Sequence, residues 1–367
     1  MGVAVLGAGI CGFVPTSTGL SYREMIAKAA KMAYTDAGLT VDQIDGAVSV
    51  EEDFVSGYSI ADEYVPDQLG MARKPVYTIP GDFLHGVCSA VMQINTGHYK
   101  AIVIEAYSKA SNILTKDELL RFALDPVFNR FNVTPHYLGG IELMSFLAAS
   151  EYSMEDVAEV VVKNRANALG NTNAPYGDLF TINDILGARP VAAPLTDLMI
   201  PRYADGAVVI VLGTEEMANE YARRPVFISG TGWGSGNSIL ERRDHSVSVG
   251  TAIAANLAYD EAQIDSPAEE IDGFFVSDLY PHRELMHLEA LGATHDGLYV
   301  NPNGGSQGGG DLFEANGGAR LYEAVTQLRG EAGACQIDCE RLLVHGWRGV
   351  PTDSCAVVIL DAERSAS

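Results

Sequence analysis

Apolar residues along the chain fall alternately into short dense runs and longer stretches at helical spacing. Residues 3–6 form a short apolar run ending in Gly-Ala-Gly, which predicts a strand. Residues 22–37 repeat their apolar positions at helical spacing and stop at Gly38, a natural helix end. Residues 44–50 read as a strand, and 90–97 as the continuation of a helix that opens near Cys88. Residues 101–106 are dense enough for a strand buried on both faces. From about 118 to 198 the pattern loosens. Two helical stretches, 141–151 and 154–168, stand there among Gly, Asn and Pro clusters, as expected of an insertion that covers the core and lines a pocket. Another buried strand follows at 207–212.

After residue 224 the order repeats. A strand at 226–229, a helix at 246–259, a strand at 271–276, helices at 285–291 and 317–329, and strands at 342–345 and 354–360 are expected. Two stretches of similar element order predict an α/β chain built from a duplicated unit, with helices on both sheet faces. The halves are 1–224, carrying the insertion, and 225–367.

Composition narrows the function classes. At 47% apolar and 20% charged residues, the chain has the make-up of a soluble globular protein. Its longest apolar runs are too short to cross a bilayer. The N-terminus lacks the basic, apolar, small order of a signal peptide, so a cytoplasmic location is expected. A formal charge of −24 argues against nucleic acid and anionic membranes as partners. Five cysteines in a chain of this length do not make a disulfide framework. Cys335 and Cys339 have no second Cys or His pair nearby, so no metal is expected there. Cys11 and Cys355 read as buried thiols.

Cys88 is the candidate nucleophile. It has small neighbours, Gly86, Ser89 and Ala90, in an expected strand-to-helix turn. A helix N-terminus lowers a thiol's pKa, and its free N–H groups can hold an oxyanion. The alternative is a small buried hydrophobe. A thiolate needs a base, and His345, ahead of the glycines Gly346 and Gly349, is the candidate; a plain loop histidine is the other reading. His85 is expected to be structural or a pocket wall. Phe122, Phe128, His136, Tyr137, Leu138 and Met144 supply an apolar pocket with polar tips, or simply pack the covering segment. The Gly-rich stretches 230–236 and 304–310 match neither the dinucleotide fingerprint nor the Walker pattern.

Five segments in order carry a resemblance. They are His85-Gly86-Val87-Cys88-Ser89-Ala90, Tyr203-Ala204-Asp205-Gly206-Ala207-Val208, Val276-Ser277-Asp278-Leu279-Tyr280, the stretch from Asn301-Pro302-Asn303-Gly304-Gly305 to Gly317, and His345-Gly346-Trp347-Arg348-Gly349. Together they resemble the thiolase superfamily, in its sterol-carrier-protein and archaeal branch, over nearly the whole chain. The resemblance implies two βαβαβαββ halves in a five-layer αβαβα sandwich. It implies a homodimer paired through the first half's sheet, an acyl-coenzyme A thioester as substrate and no tightly bound cofactor. It also implies a small accessory protein of the DUF35 type, made of a zinc ribbon and an OB-fold.

Two positions depart from the family pattern. Asp311 stands where many members carry the His of Gly-His-Pro, and Ser277 where a His or Asn helps bind an enolate oxygen. The resemblance thus implies an acyltransferase or thiolase working through acyl-Cys88 and His345. Ser277, Gly346 and Gly349 would support the oxyanion, Asp311 would be a base, a partner orienting another group or, with its pKa raised by burial, an acid, and Tyr280, His282, Tyr137 and Phe128 would line the substrate pocket. Such an enzyme cleaves an unusual β-ketoacyl-CoA, or passes an acyl group to CoA or a carbon nucleophile. The alternatives are a C-acyltransferase on a phenolic acceptor, resembling the phloroglucinol acetyltransferase catalytic subunit; a retro-aldolase-type lyase using tyrosines such as Tyr280 and Tyr299; and a non-catalytic subunit.

Overall fold

Glycine sets how closely the outer helices approach the sheet. A Cβ on Gly9 would lie 2.1 Å from the carbonyl oxygen of Ala29, and one on Gly232 would lie 1.8 Å from that of Ala254. Each glycine sits in the first strand of its half, and each lets a helix rest directly on the strand backbone. The computed structural model describes residues 2–52, 61–113, 127, 130, 133–237, 239–294 and 297–363.

The strands, in chain order, are β1 (Val3–Val14), β2 (Gly46–Val50), β3 (Val76–Ile79), β4 (Ala101–Lys109), β5 (Pro190–Ala192), β6 (Leu195–Thr196), β7 (Asp205–Thr214), β8 (Val226–Ser235), β9 (Gly273–Phe275), β10 (Tyr299–Val300), β11 (Arg341–Trp347) and β12 (Ser354–Asp361). All but β5 and β6 join one hydrogen-bonded sheet, in the order β10-β9-β11-β12-β8-β1-β7-β4-β2-β3. Counting strands within each half, both read first, fifth, fourth, second, third outward from the centre. Each half repeats the same mix of parallel and antiparallel pairings. The halves meet through a short ladder in which Val3, Ala4 and Val5 pair with Ile228, Phe227 and Val226.

The main helices are α1 (Tyr22–Ala37), α2 (Phe83–Asn95), α3 (Pro135–Ala149), α4 (Met154–Asn167), α5 (Val249–Ala262), α6 (Pro281–Ala290) and α7 (Asn316–Leu328). α1 covers the outer face of the first half, and α5 that of the second. α2 and α7 pack against strands of both halves, so they form the central layer of five. The central core joins Val48, Val50, Ile104, Phe83 and Val87 to Leu321, Val344 and Val358.

Local signals explain the elements. α1 starts on a capping box between Ser21 and Glu24 and ends on Gly38 in the left-handed conformation. β8 runs on to Ser235 through the stretch 230–236, whose alternate glycines face α5. α2 corrects the expected element: it opens at Phe83, not near Cys88. Asp82 is its N-cap, with a side-chain oxygen accepting from Leu84 N at 3.0 Å, and His85 closes the capping box. Among the described residues, no helix is long and apolar enough to cross a membrane.

Candidate active site

The first turns of α2, α3 and α6 converge with the end of β11 on one cavity of about 420 Å³. Pro135, Ile200, Pro201, Leu279, Phe313, Trp347 and Val350 give it apolar walls. Its polar groups are Glu52, Asp82, His136, Tyr203, Tyr280, Asp311, Glu314, Asn316, Arg348 and Thr352, with Gly81 and Gly349 at the rim. Among the described lining residues there is no cysteine.

Tyr280 is placed by two neighbours. It is the N-cap residue of α6, followed by Pro281, whose fixed φ suits the first helical position. Its ring lies against Gly139 of α3, where a Cβ would come within 2.9 Å of Tyr280 Cζ. Its hydroxyl is 3.0 Å from His136 Nδ1. Burial holds the Tyr280 phenol well above its ordinary pKa, so it carries its proton.

His136 reaches the cavity because α3 is clamped to α6 by buried charge. Glu142 of α3 accepts from Arg283 Nε of α6 at 3.0 Å and makes a further short contact with Arg283 Nη2; Arg243 Nη2 bonds it at 3.1 Å. Burial alone would raise the Glu142 carboxyl. The Arg283 charge, with His282 and Arg243, outweighs that and brings it down to about 2. The guanidinium carbon of Arg283 lies 4.2 Å from the centre of the Trp347 ring.

Asp311 is fixed from both backbone and side chain. Its N–H donates to Arg202 O at 2.8 Å, and its carbonyl accepts from Ala204 N at 3.0 Å. Oδ1 accepts from Asn316 Nδ2 at 2.7 Å and from Phe313 N at 2.9 Å. Burial raises the Asp311 carboxyl, and raises that of Glu314 well above the usual range. The cavity thus offers a hydrogen-bonded carboxyl together with a phenol–imidazole pair. Such groups transfer protons without forming a covalent intermediate.

Asp82 ties the central layer to the cavity. Besides capping α2, it accepts from Gly317 N of α7 at 2.9 Å and from Arg320 Nη2 at 3.2 Å. A Cβ on Gly317 or Gly346 would lie within 2.0 Å of Asp82 Oδ1, so both glycines make room for this carboxylate.

Several expected site residues lie elsewhere. Cys88 sits in the second turn of α2, is 1% exposed, and has Gly232 O as partner at 3.6 Å. Burial pushes its thiol up to about 12, the reverse of the activated setting expected at a helix start. His345 is buried within β11, 3.1 Å from Thr251 Oγ1 by Nε2, while Nδ1 accepts from Ser277 N at 3.4 Å. It is not among the residues that line the cavity. Burial and the Arg320 charge hold it well below its ordinary pKa. Ser277 is fully buried and does not line the cavity. Gly346 is a paired strand residue, whereas Gly349 does line the cavity. His282 is buried under the Tyr280 ring, and Tyr137 points outward with 53% of its surface exposed. Tyr280 and Asp311 line the cavity. Tyr299 is half exposed on the edge strand β10. Phe122 and Phe128 lie outside the described residues.

Comparison with known proteins places this architecture. Residues 233–361 match the family model "Thiolase C-terminal domain-like". The acetyl-CoA acetyltransferase of Methanothermobacter thermautotrophicus is 27% identical over 87% of this chain and 89% of its own length. The chain is similar to thiolase-superfamily proteins along most of its length. A second relative, the 17-hydroxy-3-oxo-4-pregnene-20-carboxyl-CoA lyase of Mycobacterium tuberculosis, is 26% identical over 95% of this chain and 97% of its own. The solved structure titled "Ltp2-ChsH2(DUF35) aldolase" superposes with a TM-score of 0.85 at 23% identity, covering 99% of this chain and 98% of that one.

Glu52, Asp82, Glu314, Asn316 and Thr352 are polar cavity residues to which the sequence reading gave no role. For Asp82 a signal was present: an Asp directly before the helical apolar series Phe83, Leu84, Val87, Val91 and Ile94 is an N-cap pattern.

Proposed function

We propose that this protein is a lyase that cleaves the carbon–carbon bond of a β-hydroxyacyl-CoA thioester by retro-aldol chemistry. Thiolase-type acyl transfer or cleavage is the broader chemistry that its relatives support. What carries the narrower reading is the cavity's polar equipment: Tyr280 with His136 on one side, Asp311 on another, and no thiol among the described lining residues. The likeness to a CoA-ester lyase along nearly the full chain supports the same choice.

In the reaction, Asp311 takes the proton of the substrate's β-hydroxyl. The oxygen's electrons form the new carbonyl as the Cα–Cβ bond breaks, and the bonding pair passes into the thioester as its enolate. Tyr280 then delivers a proton to the enolate carbon, and His136 accepts the hydrogen bond of the re-formed phenol. The products are a ketone or aldehyde and a shortened acyl-CoA, with the Asp311 proton returned through solvent. CoA is a substrate portion in this scheme, and no resident cofactor takes part.

The fold also supports two partners. β3 is the outermost strand of the first half, and a second copy paired along it would complete a homodimer. One relative, the BbsB protein of Thauera aromatica, is named as a subunit, which supports an accessory protein here. Incubation with a panel of β-hydroxyacyl-CoA and β-ketoacyl-CoA esters tests the assignment. Release of a free carbonyl compound from the hydroxy esters without added CoA supports it. CoA-dependent thiolysis of the keto esters alone overturns it in favour of acyl transfer, and no turnover with either ester, with or without the accessory protein, favours a non-catalytic subunit.

A further inference from the structure

A second cluster of reactive side chains lies outside the cavity. His287 of α6, His345 of β11 and Cys355 of β12 bring three potential ligand atoms within 4.8 Å of one another, all buried. The two imidazole rings are 4.3 Å apart, centre to centre. Thr251, in the first turn of α5, puts its hydroxyl among them: 2.8 Å from His287 Nδ1, 3.1 Å from His345 Nε2 and 3.3 Å from Cys355 Sγ. Four elements of the second half thus contribute one side chain each to a single point. His287 Nε2 is buried without a hydrogen-bond partner, so the hydroxyl hub does not satisfy the whole cluster.

We propose that this cluster is a binding site for a zinc-class divalent cation, with His287, His345 and Cys355 as ligands and Thr251 beside the fourth position. Two imidazoles and one thiolate are the donors that a borderline-soft d10 ion takes, and such an ion adopts a tetrahedral set. Binding displaces the Cys355 proton and leaves one positive charge on the ion–thiolate unit. The arginines nearby do not forbid that charge, because Arg283 is paired with Glu142 and Arg320 with Asp82, and Asp353 lies close to the same layer. Zinc bonds of about 2.0–2.3 Å draw the ligands closer than they now stand, with the Thr251 hydroxyl moving aside. The site is sealed, so the ion enters as the chain folds. It would pin α5 and α6 to β11 and β12.

Refolding the full chain with Zn²⁺ or Co²⁺, followed by gel filtration against chelator, tests the proposal. A stoichiometric zinc content and a near-ultraviolet thiolate-to-cobalt charge-transfer band are expected. Cys355→Ser and His287→Gln should lose the band, and Cys88→Ala should keep it. Should a variant refold poorly, the wild type alone decides through metal content. Wild-type protein that emerges without bound metal, or a band that survives in Cys355→Ser, overturns the site and leaves Thr251 as a hydrogen-bond hub only.

Discussion

His136 and His345 are both held by neighbouring hydroxyls, yet their surroundings set them apart. His136 stands at the first turn of α3, partly open to the cavity and bonded to a tyrosine hydroxyl that also faces it. His345 is sealed inside β11, bonded to a threonine in the outer layer. Trp347 touches both groups, with its ring centre 6.4 Å from that of Tyr280 and 5.7 Å from that of His287. The difference teaches that access to a reacting atom, rather than membership of a motif, decides which imidazole can do chemistry. Cys88 fails the same test that His345 fails.

The strongest way to break this comparison is to remove the cavity phenol. Tyr280→Phe should lower turnover by about 10²–10⁴-fold, the range for general acid–base groups, with KM little changed, as read by steady-state kinetics. His345→Gln, assayed per folded molecule, should stay within about threefold of wild type, since it touches no reacting atom. Equal losses in the two variants would erase the distinction.

Next in size is the clamp that holds His136 in place. Glu142→Gln leaves Arg283 and Arg243 buried without their carboxylate, so denaturant unfolding should show a loss of about 3–5 kcal/mol. A loss under about 1 kcal/mol would mean that α3 is held by its apolar face alone.

Acid sharpens the contrast further. Burial lowers His85 to about 4 against an ordinary 6.5, and His85 donates or accepts at Asp82 and Ser354 as a neutral ring. Its folded-state pKa is depressed, so the unfolded chain binds more protons between these values. Its contribution is complete above pH of about 6.5 and is lost as pH falls toward about 4. The shift corresponds to an effect of the order of 3 kcal/mol. Urea midpoints across that window should fall with acid, and His85→Gln should flatten the slope.

The smallest effect is expected at Cys88. Cys88→Ala removes one buried sulfur from packed apolar surroundings, so it should cost about 1–2 kcal/mol of stability and leave turnover within about threefold.

Much of the fold was legible in the chain. The Ser21 cap and Gly38 stop bounded α1, and the dense run at 101–106 marked β4 because a strand covered on both faces has no polar side to show. β8 was cut short in the sequence reading because its alternate glycines look like loop residues. Only the close seat of α5 reveals their purpose. The expected helix start was misplaced for a related reason. A cysteine among small residues suggested a helix start, while the stronger cap at Asp82 placed that start five residues earlier, at Phe83, and turned the sulfur into the core. Asp311 was visible as a departure from a family pattern, and Tyr280 as part of a family-like segment beside Ser277. The pairing of Tyr280 with His136 was not, because it depends on Gly139 making room and on Glu142 reaching Arg283 across 141 positions of chain.

Intact-protein mass spectrometry during turnover tests the central claim most directly. With a β-hydroxyacyl-CoA present and carbonyl product forming, the wild-type chain should keep its unmodified mass throughout. A mass gain equal to the acyl group, lost in Cys88→Ala together with activity, would contradict the account and restore the sulfur as the reacting atom.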